Sequence, residues 1–474
     1  MEMTQPLVKK ILSPLSTIEV FEKLKDLPYS FLLDSGIDPL GLGRYSFLGA
    51  EPFLVFKAKG EQCQIITGDD CEEIQANPFK LLKQLLIKYN MPKDLRLPPF
   101  LGGAVGYFAY NLGEQLESLP TMTEDDLAIP DCILGFYHWV LIYDHVDKVW
   151  FASATGLPEE HTTERQLKAE LQLARLRELL QSTPERTGEC PSKAAVLELE
   201  ANFSPEGYRK AVQRAKDYIA AGDIFQVNLS QRFTAPLPTT PFELYKALRD
   251  INPAPFASYL NYPEVIVASA SPERYLLLKG KKVETRPIKG TRPRGSDQAS
   301  DLANREELLN STKDRAELVM IIDLERNDLG RVCEMGSVKV PDLIRLEEYA
   351  TVFHLVSTVE GTLPQDKDIV DLLEASFPGG SITGAPKIRA MEIIEELEPV
   401  KRGIYTGSIG YISFNGDADL NIVIRTYIIK DGRVHYQVGG GIIADSDPQA
   451  EYLETLTKGK ALERALANFI EQKE

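Results

Sequence analysis

A lysine framed as Pro-Ile-Lys-Gly-Thr stands out in ETRPIKGTRPRG, residues 284–295. The segment reads as a strand running into a tight turn. A solvated lysine needs no such framing, whereas a nucleophile or a substrate-gripping Lys289 does. A second constellation lies near the C-terminus. Gly439, Gly440 and Gly441 place bare backbone at a strand end, where amides can meet an anion closely. Beyond them, Glu451, Glu454 and Lys458 fall at i, i+3 and i+7 on one helix face. Two carboxylates on one face suit a Mg²⁺ ion, which takes oxygen ligands and keeps waters for a substrate to replace. Taken alone, the helix suits a solvated face with a Glu–Lys pair better.

Three further features carry the same ambiguity. Glu317 sits in KDRAELVMIIDLERND among apolar neighbours, where it either pairs locally or faces a site. FPGGSITGAPKIRAMEII packs Gly, Ser and Thr ahead of a helix starting near Pro386, with Lys387 beside it. This is an anion-receptive N-terminus or an ordinary glycine-rich turn. His354 in TVFHLVST and Arg425 in NIVIRTYII lie in apolar, strand-like runs. A guanidinium in such surroundings needs an anionic partner, either a structural aspartate or a substrate carboxylate.

Bulk properties narrow the field. With 474 residues, 43% hydrophobic and 26% charged, the chain can build a large core. The net charge of −17 argues against nucleic-acid binding. No apolar run approaches the ~18 residues of a membrane span, and MEMTQPLVKKILSPLS lacks a signal peptide's apolar stretch. The five scattered cysteines, Cys63, Cys71, Cys132, Cys190 and Cys333, indicate reduced thiols and a cytoplasmic protein. None occupies the GxCxG setting of a glutamine-hydrolysing nucleophile.

The elements that must position these residues alternate irregularly. Residues 1–155 hold short strands (YSFLLDSG, GRYSFLG, FLVFKAKG, CQIITGDD), a helix at PFKLLKQLLIKYN, and the paired runs ILGFYHWVLIYDH and KVWFASATG. Residues 156–202 read as one helix, LKAELQLARLRELLQ, and a loop-rich connector. Residues 203–474 open with a helix capped by Ser204 and Pro205 and ended by Gly222, with Tyr208, Val212, Ala215 and Ile219 on one face. Strands follow (IFQVNLSQRF, FASYLNY, VIVASASPERYLLL, KVETRPIKG), then a helical stretch through LLNSTKDRAELVMIIDLERNDLG. The late strands precede a final helix from PQAEYLET onward. Strand-rich blocks without βαβ alternation predict an α+β protein with large antiparallel sheets.

In chain order, SPERY, RPIKGTRPRG, KDRAELVMIIDLERNDLGRV, HLVSTVEG, FPGGSITGAPKIRAMEIIEELEP, GSIGYISF, IRT and GGGIIADSDPQAEYLET resemble the signatures of the chorismate-using enzymes. That family includes anthranilate synthase component I, aminodeoxychorismate synthase component I, isochorismate synthase and salicylate synthase. The likeness spans residues 203–463 and extends forward through LLDSG, GRYSFLG and LGGAVGYFAYNLG. It implies two interleaved subdomains with orthogonally packed antiparallel sheets flanked by helices. At Lys289, anthranilate synthases typically carry alanine. The PIKGT form resembles the aminodeoxychorismate synthase component I branch, which makes 4-amino-4-deoxychorismate on the route to 4-aminobenzoate and folate.

The resemblance implies roles residue by residue. Lys289 matches the nucleophile that attacks the ring, and Glu273 the general acid/base. Glu317, Glu451 and Glu454 match Mg²⁺ carboxylates. Thr291, His354, Tyr405, Arg425, Gly441 and Lys458 match chorismate contacts. Ser35, Leu42, Gly43, Arg44, Tyr45, Pro255, Phe256 and Ala257 resemble a tryptophan site, with Asp34 where glutamate is common. A separate glutamine amidotransferase subunit is implied as the ammonia source. Anthranilate synthase component I is the alternative activity.

Overall fold

The computed structural model describes residues 5–35, 42–182, 198–349 and 352–470. Most of the connector reading, at 183–197, lies outside the described residues. Two twelve-stranded sheets dominate. The first runs, edge to edge, Leu7–Ile11, Val149–Ala154, Trp139–Asp144, Tyr45–Gly49, Ser30–Asp34, Phe256–Tyr262, Val265–Ser271, Thr426–Lys430, Arg433–Ile442, Gln226–Pro236 and Glu200–Ala201. Gly384–Ala385 adds to Gln226–Pro236 off that path. The second runs Ile288–Pro293, Val352–Thr362, Lys282–Arg286, Arg274–Lys279, Ala418–Asn421, Ser408–Ser413, Gly103–Phe108, Cys132–Tyr137, Leu54–Lys59, Gln62–Thr67 and Asp70–Gln75. Lys339–Glu348 branches from Val352–Thr362.

Early and late parts of the chain share both sheets. Ser30–Asp34 pairs antiparallel with Phe256–Tyr262, and Gly103–Phe108 with Ser408–Ser413. The fold is therefore α+β with interleaved halves, as the sequence led one to expect. Phe31, Phe47, Val140, Leu260 and Val267 from the first sheet meet Val55, Val105, Tyr107, Ile133 and Tyr411 from the second in one core. Helices Thr162–Gln181, Pro241–Ile251 and Pro448–Ala467 bury their apolar faces on the outside of the first sheet. Pro78–Lys88, Thr312–Gly330 and Ile369–Ser376 do the same for the second. Two buried faces per sheet explain why many strands are continuously apolar rather than alternating.

The helix Pro205–Ala221 follows its sequence signals. Ser204 accepts from Gly207 N, Pro205 takes the first turn, and Gly222 ends it in the left-handed region at φ 85°. Tyr208, Val212 and Ala215 are buried. Other readings change. ILGFYHWVLIYDH is two strands: Cys132–Tyr137 belongs to the second sheet and Trp139–Asp144 to the first, with the crossing at His138. Only Trp139–Asp144 pairs with Val149–Ala154. An apolar run says that both faces are buried, not against which partner. KVETRPIKG is likewise broken at Pro287, which separates Lys282–Arg286 from Ile288–Pro293.

Candidate active site

Lys289 lies on Ile288–Pro293, which pairs with Val352–Thr362. The register slips between Lys289 and Thr291, and Gly290 occupies φ 76° there. A side chain at 290 would sit 2.9 Å from both Asp314 and Leu308, so the bulge and the packing both require glycine. The bulge re-aims Lys289 while leaving Thr291 opposite His354. Lys289 Nζ donates to the carbonyl oxygen of Ser381 at 2.9 Å. Burial pulls its ammonium below the usual lysine range, the facing Glu317 and Glu273 carboxylates oppose this, and the Lys458 charge adds to it.

Glu273 follows the strand Val265–Ser271 and is 5% exposed. Its carboxyl accepts from Ile288 N at 3.3 Å and from the Ser381 hydroxyl. Burial still raises it above the ordinary carboxylate range, against the pull of Ser381 and Lys289. A carboxyl shifted toward its acid form beside a lysine shifted toward its neutral amine is the pairing that acid and nucleophile roles need.

Thr291 Oγ1 and His354 Nδ1 are 2.9 Å apart. His354 is buried, and its Nε2 has no partner among the described residues. Burial and the nearby Arg425 charge push its imidazole down to about 3, so it is neutral at physiological pH. Arg425 is not within a strand. It sits in the break between Ala418–Asn421 and Thr426–Lys430 at φ 52°. Its Nη1 donates to Asn252 Oδ1 at 3.0 Å, and no carboxylate charge offsets its desolvation. Tyr405 is buried deeper, beneath the Arg402 guanidinium.

Gly439, Gly440 and Gly441 lie on Arg433–Ile442, and the final helix packs against that strand. A Cβ at Gly440 would stand 3.4 Å from Glu451 Oε2, 3.5 Å from Glu454 Oε1 and 3.7 Å from Lys458 Nζ, so all three side chains converge over bare backbone. Lys458 bonds to Glu454 at 2.8 Å and to the Gly439 carbonyl at 2.9 Å. Glu451 accepts from Ser446 Oγ at 2.6 Å. Against the effect of burial, Lys458 and Lys313 hold Glu454 below its usual range. Glu317 faces this group from Thr312–Gly330, raised by burial and within electrostatic reach of Lys289, Lys313 and Glu454. Among the described residues no three acidic, His or Cys side chains are already gathered as a cation cluster. The donor chemistry nonetheless fits Mg²⁺: two carboxylates converge over a glycine cradle, a third faces them, and lysines balance their charge.

The eight residues compared with a tryptophan site stand apart from this centre. All of them, Ser35, Leu42, Gly43, Arg44, Tyr45, Pro255, Phe256 and Ala257, line a cavity of about 410 Å³ between the sheets. Asp34 also lines it, held by Arg249, Tyr245 and Ser46 Oγ. Arg44 is fixed by Asp144 at 2.6 Å, and Arg274 stacks over the Phe256 ring at 4.9 Å.

Of the two readings of the glycine-rich segment, the contacts of Lys387 favour the ordinary turn. Its ammonium is tied to Asp328 and to the carbonyls of Ser376 (2.7 Å) and Pro378 (2.9 Å), so it braces the glycine-rich loop from beneath. Three polar groups escaped the sequence reading. Ser381 was hidden in the glycine run. Gln226 and Asn228 sit two apart on Gln226–Pro236, with Gln226 Oε1 and Asn228 Oδ1 buried and without a partner among the described residues. Asn228 pairs with Gly441, where a Cβ would clash with Gln226 Nε2 at 2.1 Å. Only the cross-strand register could have revealed that.

A fold of two interleaved antiparallel sheets, with a polar centre at the glycine-rich strand end, defines an enzyme site for a small anionic substrate. Residues 30–464 match the chorismate binding enzyme family, and the chain belongs to that family. It is 42% identical over 469 residues to anthranilate synthase component 1 of Thermus thermophilus, covering 98% of each chain. It is 40% identical over 453 residues to aminodeoxychorismate synthase component 1 of Bacillus subtilis, covering 95% of this chain and 94% of that one. Among solved structures, anthranilate synthase component I from Streptococcus pneumoniae TIGR4 superposes with a TM-score of 0.79 at 32% identity, covering 96% of this chain and 99% of that one.

Proposed function

We propose that this chain acts as an aminodeoxychorismate synthase component I, converting chorismate and ammonia to 4-amino-4-deoxychorismate. The observation that carries the reading is Lys289, a half-buried lysine held at 2.9 Å on the Ser381 carbonyl with the buried Glu273 carboxyl against the same serine. In the neutral form Lys289 Nζ attacks ring carbon 2. Both ring double bonds shift one carbon along, the bond from carbon 4 to its hydroxyl breaks, and Glu273 delivers the proton that lets water leave, its carboxylate then taking the proton shed by the bonded Lys289 nitrogen. Ammonia then forms a bond to carbon 4, both double bonds shift back, and Lys289 departs from carbon 2 as the neutral amine with the proton that Glu273 returns to it. The enolpyruvyl group stays on the ring.

Arg425, His354, Thr291 and Tyr405 would orient the substrate's carboxylates and enolpyruvyl side, with Gly441 amide and Lys458 at the ring carboxylate. Glu317, Glu451 and Glu454 would hold Mg²⁺, which when bound supplies positive charge to that carboxylate. Residues 203–474 carry these groups. Residues 1–155 and residues 203–474 each supply half of the lining of the second cavity, which suits tryptophan. Ammonia would come from a glutamine amidotransferase subunit, in a cytoplasmic heterodimer. The likeness to the Thermus thermophilus protein favours a second reading, anthranilate formation with release of pyruvate.

A product assay separates the two. Purified protein is incubated with chorismate, ammonium and Mg²⁺, the products are resolved by mass, and pyruvate is followed in parallel. Aminodeoxychorismate without pyruvate is expected, abolished by K289A and by omission of Mg²⁺. Anthranilate with stoichiometric pyruvate would overturn the reading.

A further inference from the structure

Beneath the site lies a carboxylate with no part in the chemistry above. Glu325, on Thr312–Gly330, is 3% exposed. Its Oε1 accepts from Gly380 N at 3.1 Å and its Oε2 from Thr285 Oγ1 at 3.3 Å. The packing is close, since a Cβ on Gly380 would meet Leu324 at 2.8 Å and Glu325 Oε1 at 3.0 Å. Gly380 precedes Ser381, which meets Lys289 through its carbonyl and Glu273 through its hydroxyl. Two residues, Gly380 and Ser381, therefore connect Glu325 to each reacting side chain.

We propose that Glu325 is a positioning residue that fixes the Gly380–Ser381 turn and, through it, sets Lys289 and Glu273 relative to each other. This rests on the roles given to those two residues above. A buried carboxylate is an expensive way to satisfy one backbone N–H and one hydroxyl; Thr383, Arg402 and Lys387 hold carbonyls of this turn, and Glu325 holds the Gly380 N–H. The charges facing Glu325 are Asp328 on its own helix, Lys387 from Lys387–Leu397 and Glu273 from across the turn. Burial and Asp328 push Glu325 up to about 7.

Two substitutions test the assignment. E325L removes the acceptor at similar volume, whereas E325Q keeps an acceptor for Gly380 N and a group to meet Thr285. For E325L, kcat should fall about tenfold to a hundredfold with the chorismate KM within about twofold, the signature of misplaced reacting groups. E325Q should recover most of that rate. Independently of turnover, acylation of Lys289 by a small amine reagent, read by peptide mass spectrometry across pH, should change in E325L and return toward the parent profile in E325Q. If E325L shows parental kcat and parental Lys289 reactivity, the assignment is wrong, whatever its thermal stability. Equal rate losses in both variants with unchanged Lys289 reactivity also overturn it. If the parent protein fails to aminate chorismate, the functional reading falls, and the labelling comparison still decides this one.

Discussion

Arg425 Nη1 donates to Asn252 Oδ1 at 3.0 Å, a charged donor resting on a neutral acceptor. A guanidinium desolvated this far without an ion-pair partner is poised for an anion that arrives with the substrate. R425M should lower kcat/KM for chorismate by roughly two to three orders of magnitude, or ~3–4 kcal/mol. R425K keeps the charge but loses the planar fork, so it should recover only part of the loss. Steady-state kinetics across chorismate concentration checks this. A change under about fivefold would place the substrate carboxylate elsewhere.

Lys387 carries a prediction about stability rather than turnover. Its ion pair with Asp328 is buried, and its two carbonyl partners hold the loop that carries Ser381. K387M leaves Asp328 buried without its cation, which should cost about 3–5 kcal/mol. The double variant K387M/D328N should recover part of that loss. Urea denaturation of the three proteins measures both effects.

How far these features could be read from the chain differs by residue. Lys289 and the final-helix carboxylates stand out as candidates from residue type and local spacing, whereas Glu273 is marked only by the likeness of its SPERY run to the family's. The cap and end of Pro205–Ala221 were legible for the same local reason. Ser381, Gln226 and Asn228 were not, because their roles depend on which distant strand or loop they meet. The sequence reading gives Arg425 an anionic partner and places it inside a strand; the structure sets it outside any strand. Its φ of 52° belongs to a break that the apolar run around it conceals. The division of ILGFYHWVLIYDH at His138 is a tertiary fact of the same kind.

Acid should weaken the fold through His354. Its folded-state value of about 3 lies below the ordinary 6.5, so below pH 6.5 the unfolded chain binds a proton that the folded chain refuses. The stability it contributes is full above pH 6.5 and is lost as pH falls from 6.5 toward 3, on the order of 4 kcal/mol in all. Buried carboxyls such as Glu273, raised by burial, act in the opposite direction, so the comparison must be made between variants. H354N should be less stable than the parent at pH 7.5 but lose less between pH 7 and 4.5. Urea midpoints at each pH test it, and parallel curves for the two proteins would contradict it.

Gly43 lines the second cavity, and Glu273, Lys289 and the final-helix carboxylates do not. A Cβ there would stand 2.6 Å from Ser35 Cβ and 2.8 Å from Ser35 Oγ, closer than real side chains approach. Ser35 is already fixed by its bond to the Tyr45 carbonyl and by Ser46 Oγ on its N–H at 3.1 Å. G43A must therefore push the Leu42–Tyr45 turn into the cavity it lines. Tryptophan affinity, measured by calorimetry, should fall about tenfold or more, a loss of ~1.4 kcal/mol or greater. The chorismate KM should stay within about twofold, because no catalytic side chain touches that wall. Unchanged tryptophan binding would mean that the ligand sits elsewhere, and a matched rise in chorismate KM would mean that the two cavities are mechanically one.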